Sequence, residues 1–226
     1  MHIPDGLMAP AVSAFGWLIA ILFIALSVRL LNRKLDDRQI TLMAVLAAGI
    51  FVAQMLNFPI GGGTTGHLIG AALASVILGP LAAMLILTVI LVIQGLVFGD
   101  GGLTALGLNI LNMAIIGCLV GWYAYRAFPQ RSQTAGILAA AWLSVFASAF
   151  ACSAELALSY SLSGGAYGIS GVIAFPTMLV SHAVIGIGEA IITGGIVAYL
   201  AKVSPGMLRL PKLAYLNSEK EAVADA

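Results

Sequence analysis

Long apolar runs separated by brief polar punctuation set the organisation of this chain. Pro10 suits the first turn of a helix, and residues 11–31 after it are apolar enough, at ~1.5 Å per residue, to cross ~30 Å of hydrocarbon. They predict a first spanning helix. A charged stretch follows, in which Arg29, Arg33, Lys34 and Arg38 mix with Asp36 and Asp37. Residues 40–56 predict a second helix, ended by Asn57, Phe58 and Pro59. Residues 60–66, IGGGTTG, read as a glycine-rich, uncharged turn leading into His67. From 67 to 98 a chargeless stretch is interrupted once, at Gly79 and Pro80, and residues 103–125, 133–161 and 172–202 predict the remaining spans.

The basic residues decide how to read that interruption. If 67–98 were one kinked helix, the loop carrying Arg126 and Arg131 would face the side opposite Arg33, Lys34 and Arg38. If Gly79 and Pro80 form a tight turn between two helices, all 10 Lys and Arg fall on one face, the tail with Lys202, Arg209, Lys212 and Lys220 included. The positive-inside rule favours the second arrangement. The expectation is therefore an all-α integral membrane protein of seven helices, amino terminus outside and carboxyl terminus cytoplasmic. Residues 1–205 form one transmembrane domain, 1–8 its head, and 206–226 a cytoplasmic tail. The third helix, 67–78, would span only ~18 Å and must be sheltered by its neighbours.

Composition agrees: 61% of residues are hydrophobic, 8% are charged, and mean hydropathy is +1.07, far from soluble domains. Residues 40–99 hold no Asp, Glu, Lys or Arg. Cys118 and Cys152 lie in apolar runs without metal-site spacing and read as small buried thiols. No basic run suits nucleic acid. None of the four lysines follows a glycine, which removes the Walker A route to ATP hydrolysis, and HExxH and GxSxG are absent too. No internal repeat of 20–50 residues is visible. Gly117 with Gly121, and Ala44 with Ala48, form small-residue pairs that can pack helices within the bundle or against a partner.

The candidate chemistry starts at the head, Met1-His2-Ile3-Pro4-Asp5-Gly6. It has no signal-peptide pattern, and His2 is too bulky for the usual removal of the initiator methionine, so a free amine is expected. Ile3 to Gly6 reads as a tight turn. The Met1 amine and His2 amide nitrogen can close a five-membered ring on a metal ion, and that amide with His2 Nδ1 a fused six-membered ring. His67, expected on the same outer face, can supply the fourth nitrogen. Planar four-nitrogen coordination suits Ni(II) or Cu(II) and disfavours Mg or Ca. Binding through an amide nitrogen expels its proton, so affinity should fall steeply with pH.

Asp5, Asn57, Thr65, Gln94, Asn109 and Asn112 lie toward the same outer half and could hydrogen-bond the ligands or join helices. Asp5 and Asp100, with no basic residue outside, would favour cation approach. Glu155, His182 and Glu189 are costly in lipid and are expected to face the interior, on a metal path or paired with each other. A membrane enzyme or sensor using these three, with the head as a structural plug, is the competing reading.

Three blocks, MHIPDG, GGGTTGHLIGAALASVILGP and LVIQGLVFGDGGLTALGLNILNMAIIG, resemble the CbiM/NikM family, the substrate-binding membrane (S) components of nickel and cobalt energy-coupling-factor (ECF) transporters, and nickel members more than cobalt members. The resemblance implies a six-helix S-component fold plus an added amino-terminal helix, in the plasma membrane of a prokaryote. It implies Ni(II), or Co(II), as the transported ion, held by the Met1 amine, the His2 amide and imidazole and the His67 imidazole, with no permanently bound cofactor. Implied partners are a transmembrane coupling protein, two cytoplasmic ATPase subunits and a small accessory membrane protein. Ala44 and Ala48 resemble the surface that meets the coupling protein.

Overall fold

A computed structural model describes residues 1–31, 35, 37–61, 64–129 and 132–204. Arg33, Lys34, Arg131 and the tail beyond 204 therefore lie outside the described residues, as do the side chains of residues 59–65. Among the described residues there are seven helices. They are α1 (Pro10–Leu31), α2 (Asp37–Met55), α3 (Ala71–Leu78), α4 (Pro80–Phe98), α5 (Leu106–Ala127), α6 (Gln133–Leu162) and α7 (Gly171–Val203). Six are long and apolar enough to cross a membrane, and α3 is not. Large apolar side chains such as Leu18, Val45 and Val172 stand exposed on the outer surfaces of the bundle, as expected where lipid replaces water.

The interruption at Gly79 and Pro80 is a reversal. Gly79 adopts φ 83° and ψ 163°, a conformation open to glycine and strained for other residues, and Pro80 opens α4 at its first position. All eight residues of α3 are buried. At ~1.5 Å per residue the helix covers only ~12 Å, and its neighbours complete the span.

Close backbone approach makes that shelter possible. A Cβ on Gly117 would lie 2.9 Å from Ala71 Cβ, and one on Gly121 3.0 Å from Ala72 Cα. The Gly117 and Gly121 pair is therefore spent inside the bundle, seating α3 against α5. Likewise Gly16 of α1 and Gly107 of α5 let those two backbones meet, since a Cβ on Gly107 would collide with Trp17 N. Ala44 and Ala48 are exposed on α2.

Two expectations need correction. The structure is nearly, not wholly, helical, because the glycine-rich segment forms an antiparallel ribbon of β1 (Phe58–Gly61) and β2 (Thr64–Gly66), with Phe58 opposite Gly66 and Pro59 opposite Thr65. The paired threonines Thr64 and Thr65 suit an extended backbone, and Gly66 lets the ribbon lie on Ile185 of α7. The third helix also begins at Ala71 and not at His67. Residues 67–70 are non-helical, since Gly70 at φ 75° caps the helix in a left-handed conformation.

Two further features had no sequence signal. Residues Gln94–Phe98 and Ile110–Ile116 wind as π turns within α4 and α5. Such insertions re-aim the side chains that flank them, here Gln94, Asn109 and Asn112.

Candidate metal centre

The head is woven into one end of the bundle. Ile3, Met8 and Ala9 are buried with Ala105, Leu108, Cys152 and Leu156. Asn109 reads the Ile3 peptide on both sides: its Oδ1 accepts from Ile3 N at 2.8 Å and its Nδ2 donates to Ile3 O at 3.2 Å. Gly102 N adds a second bond to Ile3 O at 2.8 Å. The Asp5 carboxylate accepts from Leu103 N at 3.1 Å, Thr104 N at 2.7 Å and the Thr104 hydroxyl. Those bonds, the Thr104 hydroxyl first, hold the Asp5 carboxyl below the usual carboxylate range. Farther along, Gly168 N donates to Leu7 O at 2.7 Å and Ala9 N to Ser159 Oγ at 2.6 Å. Two loops, at residues 102–104 and at Gly168, and two helices, through Asn109 of α5 and Ser159 of α6, thus hold the segment that carries His2.

This strapping requires Gly101 and Gly102. A Cβ on Gly102 would collide with Asp5 N, and one on Gly101, at φ 98°, would sit 3.0 Å from Asn109 Nδ2 and 3.4 Å from His2 Nδ1.

His2 and His67, 65 positions apart in sequence, meet with ring centroids 5.0 Å apart and planes at 80°. His67 Nδ1 donates to Leu68 O at 2.8 Å, which leaves the lone pair on Nε2. His2 Nδ1 lies 3.0 Å from Asp100 O and 3.3 Å from Asp100 Oδ1. Its Nε2 is buried with no hydrogen-bond partner, an orphaned acceptor of the kind a ligand satisfies.

Burial sets the protonation states. It pushes His67 down to about 3, helped by the nearby amine and His2, and it lowers His2 and the Met1 amine as well. Desolvation disfavours each cation, so near neutrality the nitrogens are biased toward the lone-pair forms that metals need. The fused-ring chelate expected from the sequence would use His2 Nδ1, the nitrogen that here faces Asp100, and would require the His2 ring to swing off that carbonyl.

The other sequence candidates are placed elsewhere. Asp5 holds the 103–104 loop and not an imidazole. Asn57 is exposed ahead of β1, and the Thr65 side chain lies outside the described residues. Gln94 Nε2 contacts Met55 Sδ at 3.8 Å, tying α4 to α2, and Asn112 Nδ2 donates to Glu155 Oε2 at 2.7 Å. Glu155, His182 and Glu189 do not pair with each other. His182 Nδ1 turns to Met178 O of its own helix at 2.8 Å, and both Glu189 oxygens accept backbone N–H groups at the start of α3. The i, i+7 spacing on α7 could not foresee that residues 69 and 70 approach so closely. Cys152, read as a bland thiol, is buried on α6 in the cluster that holds Ile3, Met8 and Ala9. Among the described residues, no group of three His, Cys, Asp or Glu side chains could hold a metal without the backbone nitrogens.

A nearly all-helical bundle with six helices apolar enough to cross a membrane, and with His2 and His67 brought together at one end, defines a multi-pass membrane protein. Residues 2–207 match the family model CbiM, described as the cobalt uptake substrate-specific transmembrane region, and the chain belongs to that family. It is a component of a metal transporter and not an enzyme.

The chain is similar to the fused nickel transport protein NikMN of Rhodobacter capsulatus, with 38% identity over 92% of this chain and 64% of that protein. It thus spans under two thirds of that relative. It is also similar to the cobalt transport protein CbiM of Clostridium tetani, 28% identical over 89% of this chain and 85% of the relative. A crystal structure of a transition metal transporter superposes with TM-score 0.83 at 38% identity, covering 90% of this chain and 93% of that one. A truncated transition metal transporter gives 0.82 at 37% identity, over 88% and 98% of the respective chains.

Proposed function

We propose that this chain captures Ni(II) from outside the cell and passes it inward as the substrate-binding subunit of an ATP-driven importer of the energy-coupling-factor type. The observation that carries the proposal is the meeting of His2 and His67 beside the Met1 amine. Met1 supplies its amine, His2 its amide and imidazole nitrogens, and His67 its Nε2. The amino terminus lies outside and the tail inside. ATP hydrolysis falls to two cytoplasmic subunits, linked through a transmembrane coupling protein that meets α2 at Ala44 and Ala48. A small accessory membrane protein completes the assembly. Relatives named for nickel and for cobalt make Co(II) the alternative cargo, and competition between the two ions at the purified protein decides. Since intrinsic affinities favour Cu(II), availability in the cell then selects against copper.

The decisive experiment blocks the amine. Acetylating Met1, or adding one residue ahead of it, is expected to abolish stoichiometric nickel binding by the purified chain. Unchanged stoichiometry would remove the amino-terminal chelate.

A further inference from the structure

The segment between His67 and α3 presents an electrostatic and steric problem. Residues 67–70 are non-helical and lie within the bundle, where every peptide N–H and C=O needs a partner. Glu189, 2% exposed on α7, meets two of them: Oε2 accepts from Ile69 N at 2.7 Å and Oε1 from Gly70 N at 2.8 Å. From α2, Gln54 Nε2 donates to Ile69 O at 2.7 Å. An apolar groove of about 310 Å³ separates α2 from α7, with Leu46, Leu68 and Ile192 among its walls. Gln54 and Glu189 thus reach the same short segment from opposite sides.

The peptide plane between Leu68 and Ile69 gives this arrangement a direction. Its N–H is the one bound by Glu189, and its carbonyl, Leu68 O, is the one that accepts from His67 Nδ1 at 2.8 Å. Carboxylate, peptide and imidazole therefore form one hydrogen-bonded line: Glu189 Oε2 to Ile69 N–H, Leu68 C=O to His67 Nδ1–H. A carboxylate at one end of such a line polarises the peptide and makes its carbonyl a better acceptor. The imidazole at the other end is fixed in tautomer and plane, with its Nε2 more basic, as when a carboxylate bonds a ligating histidine directly.

We infer that Glu189 is a positioning residue for metal capture, which orients and polarises His67 through the Leu68–Ile69 peptide while Gln54 pins the next peptide. The inference rests on His67 being a metal ligand. A carboxylate is the group required, because Glu189→Gln would set an amide N–H against a backbone N–H at one of the two contacts.

The test titrates Ni(II) into the purified full-length chain and records affinity and the ligand-field absorption of the bound ion. Glu189→Gln and Gln54→Met are each made alone and combined with His67→Ala. Glu189→Gln is expected to weaken binding about tenfold or more and to shift the absorption band, with Gln54→Met moving both in the same direction by less. In the His67→Ala background neither should weaken binding further. Equal losses with and without His67, or wild-type affinity and spectrum in Glu189→Gln, overturn the inference while the ligand assignment stands. Wild-type affinity in His67→Ala alone overturns the ligand assignment and the inference together. Should Glu189→Gln fail to fold, Gln54→Met in the same cycle supports or overturns the inference on the same readouts.

Discussion

At the scale of single residues, this site is organised by glycines as much as by ligands. Gly102 is where the head lies against the bundle, and the colliding atom, Asp5 N, is backbone. Gly102→Ala is therefore expected to dislodge the head, costing about 1–3 kcal/mol in stability and at least tenfold in nickel affinity. Calorimetry and metal titration of the purified variant check the two effects. Protonation gives a second prediction. His67 is held at about 3, chiefly by burial, against an ordinary value of 6.5, so between those values the unfolded chain binds a proton that the folded chain refuses. Stability is then fully present above about pH 6.5 and is lost as pH falls toward about 3. Thermal unfolding in detergent should show this slope, and His67→Gln should flatten it. That His2 and His67 meet was legible in the sequence, because the placement of the basic residues puts both on one face of the bundle. The orphaned His2 Nε2 and the Asp100 contact were not, because they depend on a loop nearly a hundred residues away.

Among the elements, α3 shows what small residues accomplish. It is too short to span, wholly buried, and seated against Gly117 and Gly121 of α5. Gly121→Leu should drive a side chain into the α3 backbone and destabilise the purified protein by about 3 kcal/mol or more. Ala48→Leu, on an exposed face of α2, should leave stability within about 0.5 kcal/mol while lowering uptake by the assembled transporter. A thermal shift assay beside transport measurements separates the two. The long apolar runs placed every long helix, and the one-sided placement of the basic residues read Gly79 and Pro80 as the reversal before α4. The β ribbon escaped because IGGGTTG lacks the alternating apolar residues of a strand, and its pairing is held by backbone bonds. The π turns escaped too, since an extra residue in a helical turn changes no composition.

Over the whole molecule, orientation follows from charge. If the amino terminus is outside, a cysteine replacing Ser163 in the α6–α7 loop should react with an impermeant maleimide on intact cells, and one replacing Ser204 only after lysis. The reverse pattern would turn the bundle over and place the head on the cytoplasmic side. The sequence by itself determined the membrane class and the number of helices and brought His2 and His67 to one end of the bundle, because hydropathy and charge placement are local properties. Only the tertiary structure decided who neighbours whom. It set Asn109 on the Ile3 peptide, Asn112 on Glu155, and Glu189 on the segment that carries His67. The physical reason is that a buried polar group takes the nearest complementary partner, and nearness inside a bundle is set by how the helices pack. Spacing along one helix had set Glu189 beside His182. Packing instead set it against the backbone of residues 69 and 70, one peptide plane from the His67 imidazole.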